Sequence, residues 1–173
     1  MQINNAISQD IETIFKLYDQ AIEFQKIVFD KHWQGFERTL IEREISENRL
    51  WKIVEADEIA CIFSIAFSDS FIWSEKDDEP SLYIHRIVTN PLFRGRGYLK
   101  AIVEWAQHYG EELGKKFVRM DTWSDNQKLL DYYRNCGFSF LGVTTPQETS
   151  DLPKHYAGIS LSLFEIKLSG NKY

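Results

Sequence analysis

Apolar residues recur three or four positions apart in four stretches of the chain, which is the spacing of an amphipathic helix. The first stretch begins after two capping residues, Ser8 and Asp10, and its apolar positions are Ile11, Ile14, Phe15, Tyr18 and Ile22. The second has a stop at Asn48, and its apolar face comprises Phe36, Leu40, Ile41 and Ile45. The third follows Gly97 and ends at Gly114, and the fourth runs from Asn126 to Asn135. We expect helices in all four.

Alternation of apolar and polar residues indicates the strands. A short strand precedes the first helix, and two strands separated by a polar break at Asp57 and Glu58 form a hairpin. The runs "SLYIHRIVT" and "KFVRMDTW" are strands on either side of the third helix, and two further strands close the chain. The last strand changes its apolar phase, which predicts a bulge near Leu163 and leaves room for a homodimer edge.

The order of these elements predicts the fold class. A strand, a helix and a strand around the third helix form one right-handed βαβ unit inside an otherwise mostly antiparallel sheet. The class is therefore mixed α/β, a splayed sheet flanked by helices. With 173 residues, the chain suits one domain over residues 1–173. The acidic run "SEKDDEP" is predicted to be a solvated loop.

Composition excludes several classes of protein. Hydrophobic residues make up 43% of the chain and aromatic ones 14%, which is typical of a globular domain, and no apolar run is long enough to cross a membrane. A signal peptide is not indicated, and Cys61 and Cys136 lack metal-ligand spacing, so we expect a cytoplasmic protein without a metal. The net charge of −6 argues against a nucleic acid partner.

The stretch "NPLFRGRGYLKAIVEWA" carries the first chemical signal. A glycine-rich turn that opens a helix presents unpaired backbone N–H groups and the positive end of the helix dipole, which suits a phosphate. The stretch lacks the lysine and hydroxyl pair of an ATP loop and the third glycine of a dinucleotide fingerprint. What remains is a pyrophosphate held by backbone N–H groups, with Arg94 and Arg96 adding charge. The residues concerned are Gly95, Arg96, Gly97, Tyr98, Leu99 and Lys100.

Two segments, "RGRGYLKAIV" and "NQKLLDYYRNCGF", resemble sequence motifs of the GNAT superfamily of N-acyltransferases. In "RGRGYLKAIV", Arg94 and Gly97 match the acyl-CoA signature Arg/Gln-x-x-Gly-x-Gly/Ala, and Leu99 departs from it at the final small position. The segment "NQKLLDYYRNCGF" resembles a later motif of the family through Asn126, Tyr133, Gly137 and Phe138. The resemblance implies acetyl-CoA bound where "YIHRIVT" and "KFVRMDTW" part, with Asn126 also on the cofactor. It further implies that backbone groups of Ile87, Val88 and Thr89 pair with the pantetheine amides.

Transfer of an acetyl group to an amine needs a proton acceptor and a proton donor. By the resemblance, Tyr133 is the general acid that protonates the CoA sulfur, and its neighbour Tyr132 faces elsewhere and serves as an internal control. Asp121 matches an acidic base of some family members; the alternative is a salt bridge, either with Arg119 or one that caps the strand. His85, on the preceding strand, is a candidate base or proton relay, or else a structural histidine.

Other residues leave two interpretations open. Trp73, Tyr83 and Trp123 line an acceptor pocket or belong to the core. Cys136 is a poor nucleophile because a helix C-terminus disfavours a thiolate. We therefore predict an N-acetyltransferase that transfers acetyl from acetyl-CoA to a primary amine of a small molecule or peptide, by direct attack in a ternary complex. The alternatives are a catalytically silent CoA-binding module, which Leu99 favours, and a nucleotide- or phosphoprotein-binding regulatory domain.

Overall fold

The structure is a computed structural model that describes residues 1–146 and 158–170. Its helices follow the predicted periodicity, with α3 as an addition. They are α1 Ile11–Val28, α2 Arg38–Ser46, α3 Ser70–Trp73, α4 Tyr98–Glu112 and α5 Gln127–Asn135. The strands are β1 Gln2–Asn5, β2 Leu50–Glu55, β3 Glu58–Ala66, β4 Ser81–Thr89, β5 Phe117–Trp123, β6 Ser139–Thr144 and β7 Leu161–Lys167. In the described part of the chain no helix has the length and apolarity that a membrane crossing requires.

The strands of the described residues form a seven-stranded sheet in the order β1-β2-β3-β4-β5-β7-β6. Antiparallel pairs join β1 to β2, β2 to β3, β5 to β7 and β6 to β7, whereas β4 and β5 pair in parallel. Because α4 connects the two parallel strands, they form the predicted βαβ unit. The mixed α/β class with a mostly antiparallel sheet is confirmed.

The described residues divide into two compact units, of which the first comprises Met1–Ile65 and Arg86–Tyr98. The apolar faces of α1 and α2 pack on strand residues there, in a core that includes Ile14, Tyr18, Ile41 and Leu50. The predicted hairpin turns at Ala56 and Asp57, whose φ angles are 52° and 60°. Two consecutive left-handed residues match the right-handed twist of the flanking strands, so the turn forms without a glycine.

The second unit comprises Ala66–His85 and Leu99–Tyr173. Its strand β5 lies between β4 and β7, and its central residues Val118 and Met120 are buried together with the charged Arg119. Over α4 the predicted apolar stripe is buried at Leu99, Ile102, Val103 and Ala106, whereas Leu113, also expected on this stripe, follows the end of the helix and is 45% exposed. A guanidinium that is fully buried is stable only where acidic or hydrogen-bonding groups lie around it, so we expect such partners beside Arg119.

The acidic run from Ser74 to Pro80 is solvated as predicted, since all of its residues except the half-buried Asp77 are exposed. It follows α3 and contains a 3-10 turn over Ser74–Asp78, and two of its carboxylates have partners that the sequence did not indicate. Glu79 forms an ion pair with Arg119 2.5 Å away, and Asp77 accepts a hydrogen bond from the Tyr83 hydroxyl at 2.6 Å. The ion pair with the buried Arg119 was not predicted, because its two residues lie far apart in the sequence.

The bulge lies on a different strand from the one predicted. In the pairing of β6 with β7, Phe140 faces Phe164 and Gly142 faces Leu163, so the extra residue is Leu141 of β6. All four residues from Leu161 to Phe164 are buried, so the change of phase reflects burial on both faces of β7. The dimer edge stays a prediction.

Candidate active site

His85 of β4 lies between two carboxylates in the second unit. Its Nε2 is 3.2 Å from Oδ2 of Asp69, and its Nδ1 is 4.0 Å from Oδ1 of Asp121 on β5. The side chains are largely removed from solvent, with 18% of His85, 11% of Asp69 and 3% of Asp121 exposed. The structure therefore brings together the two candidate bases from the sequence and adds Asp69, which the sequence analysis missed.

Strand geometry explains how these groups meet. The parallel pairing matches Ser81 with Phe117 and Tyr83 with Arg119, and the alternation of a strand then places His85 and Asp121 two positions further on. The rings of Tyr83 and His85 are stacked, with 6.4 Å between the ring centres and an angle of 14° between the ring planes. Both side chains thus lie on one face of β4.

Arg119 does not pair with Asp121 in this arrangement. Its guanidinium bonds to the carboxylates of Glu165 and Glu79 at 2.7 and 2.5 Å and to the backbone oxygen of Lys76 at 2.5 Å. The alternative of an Arg119–Asp121 ion pair is therefore wrong, and the basic side chain that lies beside Asp121 is His85.

Asp121 has an unusual electrostatic environment for a carboxyl group. Burial raises the pKa of Asp121 to about 7; the charge of His85 lowers it and that of Asp69 raises it. Within the described residues, Oδ1 of Asp121 and Oδ2 of Asp69 are buried without a well-aligned hydrogen bond. A carboxyl group whose pKa lies near neutrality, beside an imidazole, can accept and release a proton at physiological pH.

Tyr133 on α5 is set among aromatic rings. Its ring packs edge-to-face against the rings of Phe138 and Phe164, and the distances between ring centres are 6.4 and 5.3 Å. Burial raises the pKa of Tyr133 above that of a free phenol, a hydrogen bond with the Thr122 side chain opposes this shift, and the charge of Asp121 adds to it. The phenol therefore keeps its proton at neutral pH. The neighbouring Tyr132 is 42% exposed, as expected for a residue that faces elsewhere.

The spacing of Asp69, His85 and Asp121 also invites comparison with a cation site. One ligand atom from each residue lies within 4.8 Å of the others. An imidazole binds a metal ion through one nitrogen, however, whereas the two nitrogens of His85 face different carboxylates. This orientation suits proton transfer better than coordination, and the absence of a metal stays a prediction.

The glycine-rich turn lies in the first unit. Gly95 and Gly97 adopt φ angles of +80° and +71°, a region that side chains rarely enter. α4 begins directly after them at Tyr98, so its first N–H groups have no partner within the helix. The backbone features of a phosphate-binding turn are therefore present, and the two glycines are needed for its shape.

The charges around this turn include one residue that the sequence analysis missed. Arg96 pairs with Glu55 of β2, and the Tyr98 hydroxyl donates to the same carboxylate at 2.5 Å. Arg94 is exposed and lies over the ring of Phe24 at 4.5 Å. Glu55 thus orients one of the two arginines predicted to bind phosphate. Lys100 is exposed and Leu99 is buried on the core stripe of α4, as the helical phase predicts.

The strand residues predicted to bind the cofactor follow a distorted position. Arg86 has a φ of 50° inside β4, which costs an L residue about 1–2 kcal/mol. Its guanidinium bonds to Glu44 and to the Ser64 hydroxyl and lies 4.9 Å from the ring centre of Phe36. These contacts hold the distorted backbone. Beyond it, Val88 is buried, whereas Ile87 and Thr89 are half-buried.

The other side chains considered in the sequence analysis lie in the core or at the ends of α5. Trp73 and Tyr83 are buried in one apolar cluster, which corrects the hypothesis that they line an acceptor pocket, whereas Trp123 is half-buried against the same cluster. The side chain of Asn126 caps α5 by accepting from Leu129 N at 3.2 Å. Burial raises the pKa of the Cys136 thiol, which makes it a poor nucleophile.

Comparisons with known proteins identify the family of the chain. A model of the acetyltransferase (GNAT) family matches residues 15–138. Because this match covers more than half of the chain, the protein belongs to the GNAT acetyltransferase family. A relative is the uncharacterized N-acetyltransferase YesJ of Bacillus subtilis (strain 168), 24% identical over 149 residues, or 80% of this chain and 81% of YesJ.

Solved structures show the same fold. A GNAT family acetyltransferase from Listeria monocytogenes 4b F2365 superposes with a TM-score of 0.77 at 23% identity, covering 96% of this chain and 94% of the other. YncA from Salmonella typhimurium, solved with its cofactor acetyl-CoA, has a TM-score of 0.70 at 14% identity, covering 100% and 96%. The splayed mixed sheet expected from the sequence resemblance is therefore that of this family.

Proposed function

We propose that the protein transfers the acetyl group of acetyl-CoA to a primary amine, with Asp121 and His85 accepting the proton of the amine and Tyr133 protonating the leaving thiolate. The observation that carries the proposal is the buried carboxyl group of Asp121, whose pKa is raised to about 7 beside the imidazole of His85. A structural ion pair would hold that pKa down rather than raise it.

The need for a base follows from the chemistry of the acceptor. An alkylammonium has a pKa of about 10.4, so at neutral pH only about one molecule in a thousand is nucleophilic. A proton acceptor with a pKa near the working pH is an effective general base. Asp121 has such a pKa, and His85 beside it offers a ring nitrogen that can carry the proton away from the amine.

The acetyl transfer itself needs no covalent enzyme intermediate. The amine nitrogen forms a bond to the thioester carbon, a tetrahedral oxyanion follows, and its collapse breaks the carbon–sulfur bond. The proton lost by the amine goes to Asp121 or His85. The CoA thiolate receives the proton of the Tyr133 hydroxyl, which the phenol later regains from solvent. Neither Cys61 nor Cys136 is a nucleophile, and burial raises the pKa of Cys61 to about 12.

The proposed cofactor contacts lie in two segments of the chain. Backbone N–H groups from Gly95 to Lys100 hold the pyrophosphate, Arg94 and Arg96 add positive charge, and Ile87 to Thr89 pair with the pantetheine. The acetyl-CoA bound by YncA supports the choice of cosubstrate, because the two proteins share a fold. The positive φ angles of Gly95 and Gly97 support the loop assignment. The site requires no metal.

The acceptor is proposed to be a small-molecule or peptide amine. The chain carries 26 acidic and 20 basic residues, which favours a cationic acceptor over an anionic one. The same charge argues against nucleic acid as a partner. We propose a cytoplasmic location, where acetyl-CoA and reduced thiols are both expected.

The deciding experiment has two stages. Thermal unfolding of the purified protein is followed with acetyl-CoA, CoA, ATP and NAD at equal concentrations. A ligand at about 100 times its dissociation constant adds roughly 2.7 kcal/mol to stability. We expect shifts with acetyl-CoA and CoA alone, and then release of free thiol in the presence of a panel of amines. Binding without thiol release across the panel would favour the silent CoA-binding module, and no shift would contradict the proposal.

A further inference from the structure

Asp69 is a second carboxyl group at the proposed base, and neither family motif includes it. It lies directly before α3, and its Oδ2 atom is 3.2 Å from Nε2 of His85. Its side chain is 11% exposed, compared with 18% for the imidazole that it faces. The distance is that of an ion pair, and in the described part of the chain the Oδ2 atom is buried without a well-aligned hydrogen bond, so the imidazole is the basic group that it faces.

A chain of hydrogen bonds holds Asp69 in this position. Its backbone N–H donates to Oδ1 of Asp77 at 2.7 Å, and the same carboxylate accepts from the hydroxyls of Ser68 at 2.7 Å and Tyr83 at 2.6 Å. These bonds lower the pKa of Asp77 although burial acts in the opposite direction. Tyr83 also stacks on His85, so one residue fixes both the imidazole and the segment that carries Asp69.

We infer that Asp69 is a positioning residue that keeps a hydrogen on Nε2 of His85, so that Nδ1 is the nitrogen that exchanges a proton with Asp121. The inference rests on the proposed function, because it specifies how the proposed base works. A carboxylate next to Nε2 attracts an N–H dipole and repels a lone pair, so it favours the Nε2–H tautomer. The lone pair of the neutral ring then lies on Nδ1.

The tautomer determines where the proton of the acceptor goes. Asp121 Oδ1 and His85 Nδ1 are two acceptor atoms 4.0 Å apart, and in the proposed step this distance shortens to that of a hydrogen bond, so that the two atoms share one proton. When that proton moves from Asp121 to Nδ1, the ring becomes an imidazolium between two carboxylates, which Asp69 stabilises. Only a proton moves in this step. The groups that face the pair are Asp69, the ring of Tyr83 and, towards Asp121, the hydroxyl of Tyr133.

The tautomer of His85 can be measured without any substrate. In the folded protein labelled with nitrogen-15 histidine, the ring nitrogen shifts of His85 are expected to show the Nε2–H form at high pH. The variant Asp69→Asn brings an amide that donates to Nε2, so we expect the Nδ1–H form to become the major one. The backbone N–H bond to Asp77 is kept in this variant, and Asp69→Ala serves as a second variant without the amide.

Activity provides the second measurement. Asp69→Asn is expected to lower kcat at least about tenfold and to change the acidic limb of the pH–rate profile, whereas Asp69→Glu recovers part of the rate. The control is Asp78→Asn, an exposed carboxylate of the same segment. A wild-type Nδ1–H form, or an unchanged tautomer and pH profile in Asp69→Asn, would overturn the inference. Failure of the proposed function is distinguishable, because the tautomer would then respond to Asp69 while no amine is acetylated.

Discussion

The glycine-rich turn and the cluster of Asp69, His85 and Asp121 are built in opposite ways. The turn is contiguous in sequence, exposed and rich in backbone donors, and its shape depends on two glycines with positive φ. The cluster takes three side chains from distant parts of the second unit and removes them from solvent. Phosphate binding needs local backbone geometry, whereas a shifted pKa needs burial, which only long-range packing supplies. Variants in the two regions should therefore change different kinetic parameters.

The largest expected effect comes from Asp121. Asp121→Asn removes the proposed proton acceptor and should lower kcat by about 10²- to 10⁴-fold, with the affinity for acetyl-CoA nearly unchanged. Steady-state kinetics with a saturating amine and calorimetric titration of acetyl-CoA measure the two quantities. Asp131→Asn, an exposed carboxylate on α5, is the matched control. A kcat within twofold of wild type for Asp121→Asn would remove this residue from the mechanism.

The pH dependence of stability tests the same residue without a substrate. The pKa of Asp121 in the folded protein, about 7, lies above the value of 3.8 for a free carboxyl group. The folded state therefore holds the proton more tightly, and this contribution is complete below about pH 4 and lost as the pH rises through about 7. Its loss destabilises the protein by up to about 4 kcal/mol. Denaturant titrations should show a smaller decline between these pH values in Asp121→Asn than in wild type, and parallel curves would contradict the raised pKa.

Arg119 tests how the second unit supports the cluster. Arg119→Met removes the ion pair with Glu79 and the ion pair with Glu165, whose side chain is only 17% exposed and would then lack a cation. Breaking a buried ion pair in this way costs roughly 3 kcal/mol of unfolding free energy. Urea denaturation measures the loss, and Arg134→Met, an exposed arginine on α5, should change stability by less than about 1 kcal/mol. An equally stable Arg119→Met protein would show that the network is dispensable.

Tyr133 distinguishes chemistry from packing. Tyr133→Phe keeps the ring contacts with Phe138 and Phe164 and removes only the hydroxyl. We expect turnover to fall by about 10²-fold while the KM for acetyl-CoA stays the same. Tyr132→Phe provides the comparison on the adjacent, exposed position and should retain full activity. Equal rates for the two variants would assign the proton to another donor.

The smallest expected effect belongs to the glycine-rich turn. Gly97→Ala forces a side chain into a φ of +71°, although nothing within 4 Å would clash with its Cβ. The strain of about 1.4 kcal/mol would weaken acetyl-CoA binding about tenfold and leave kcat nearly unchanged. Gly114→Ala carries similar strain at a φ of +66° but lies at the far end of α4. If both variants weaken binding equally, the effect arises from general destabilisation rather than from the turn.

Local signals predicted most of the fold. The spacing of apolar residues predicted α1, α2, α4 and α5, because helix formation depends on neighbours three and four positions away, and the predicted ends of α4 and α5 lie within two residues of the observed ones. The strands were recognised from the alternation of apolar and polar residues, which also depends only on near neighbours in the sequence. The short α3 and the position of the bulge on β6 were not predicted, since partners distant in sequence decide them.

The sequence by itself determined the glycine-rich turn, the phase that buries Leu99 and the positions of Asp121, Tyr133 and His85 on their elements. Each of these depends on a few adjacent residues and on backbone preferences. Only the tertiary structure decided that Asp69 faces His85, that Arg119 pairs with Glu79 and Glu165, and that Glu55 holds Arg96. The physical reason is that charge pairing and desolvation depend on distance in space, and neither the apolar pattern nor any motif records which buried charges will meet.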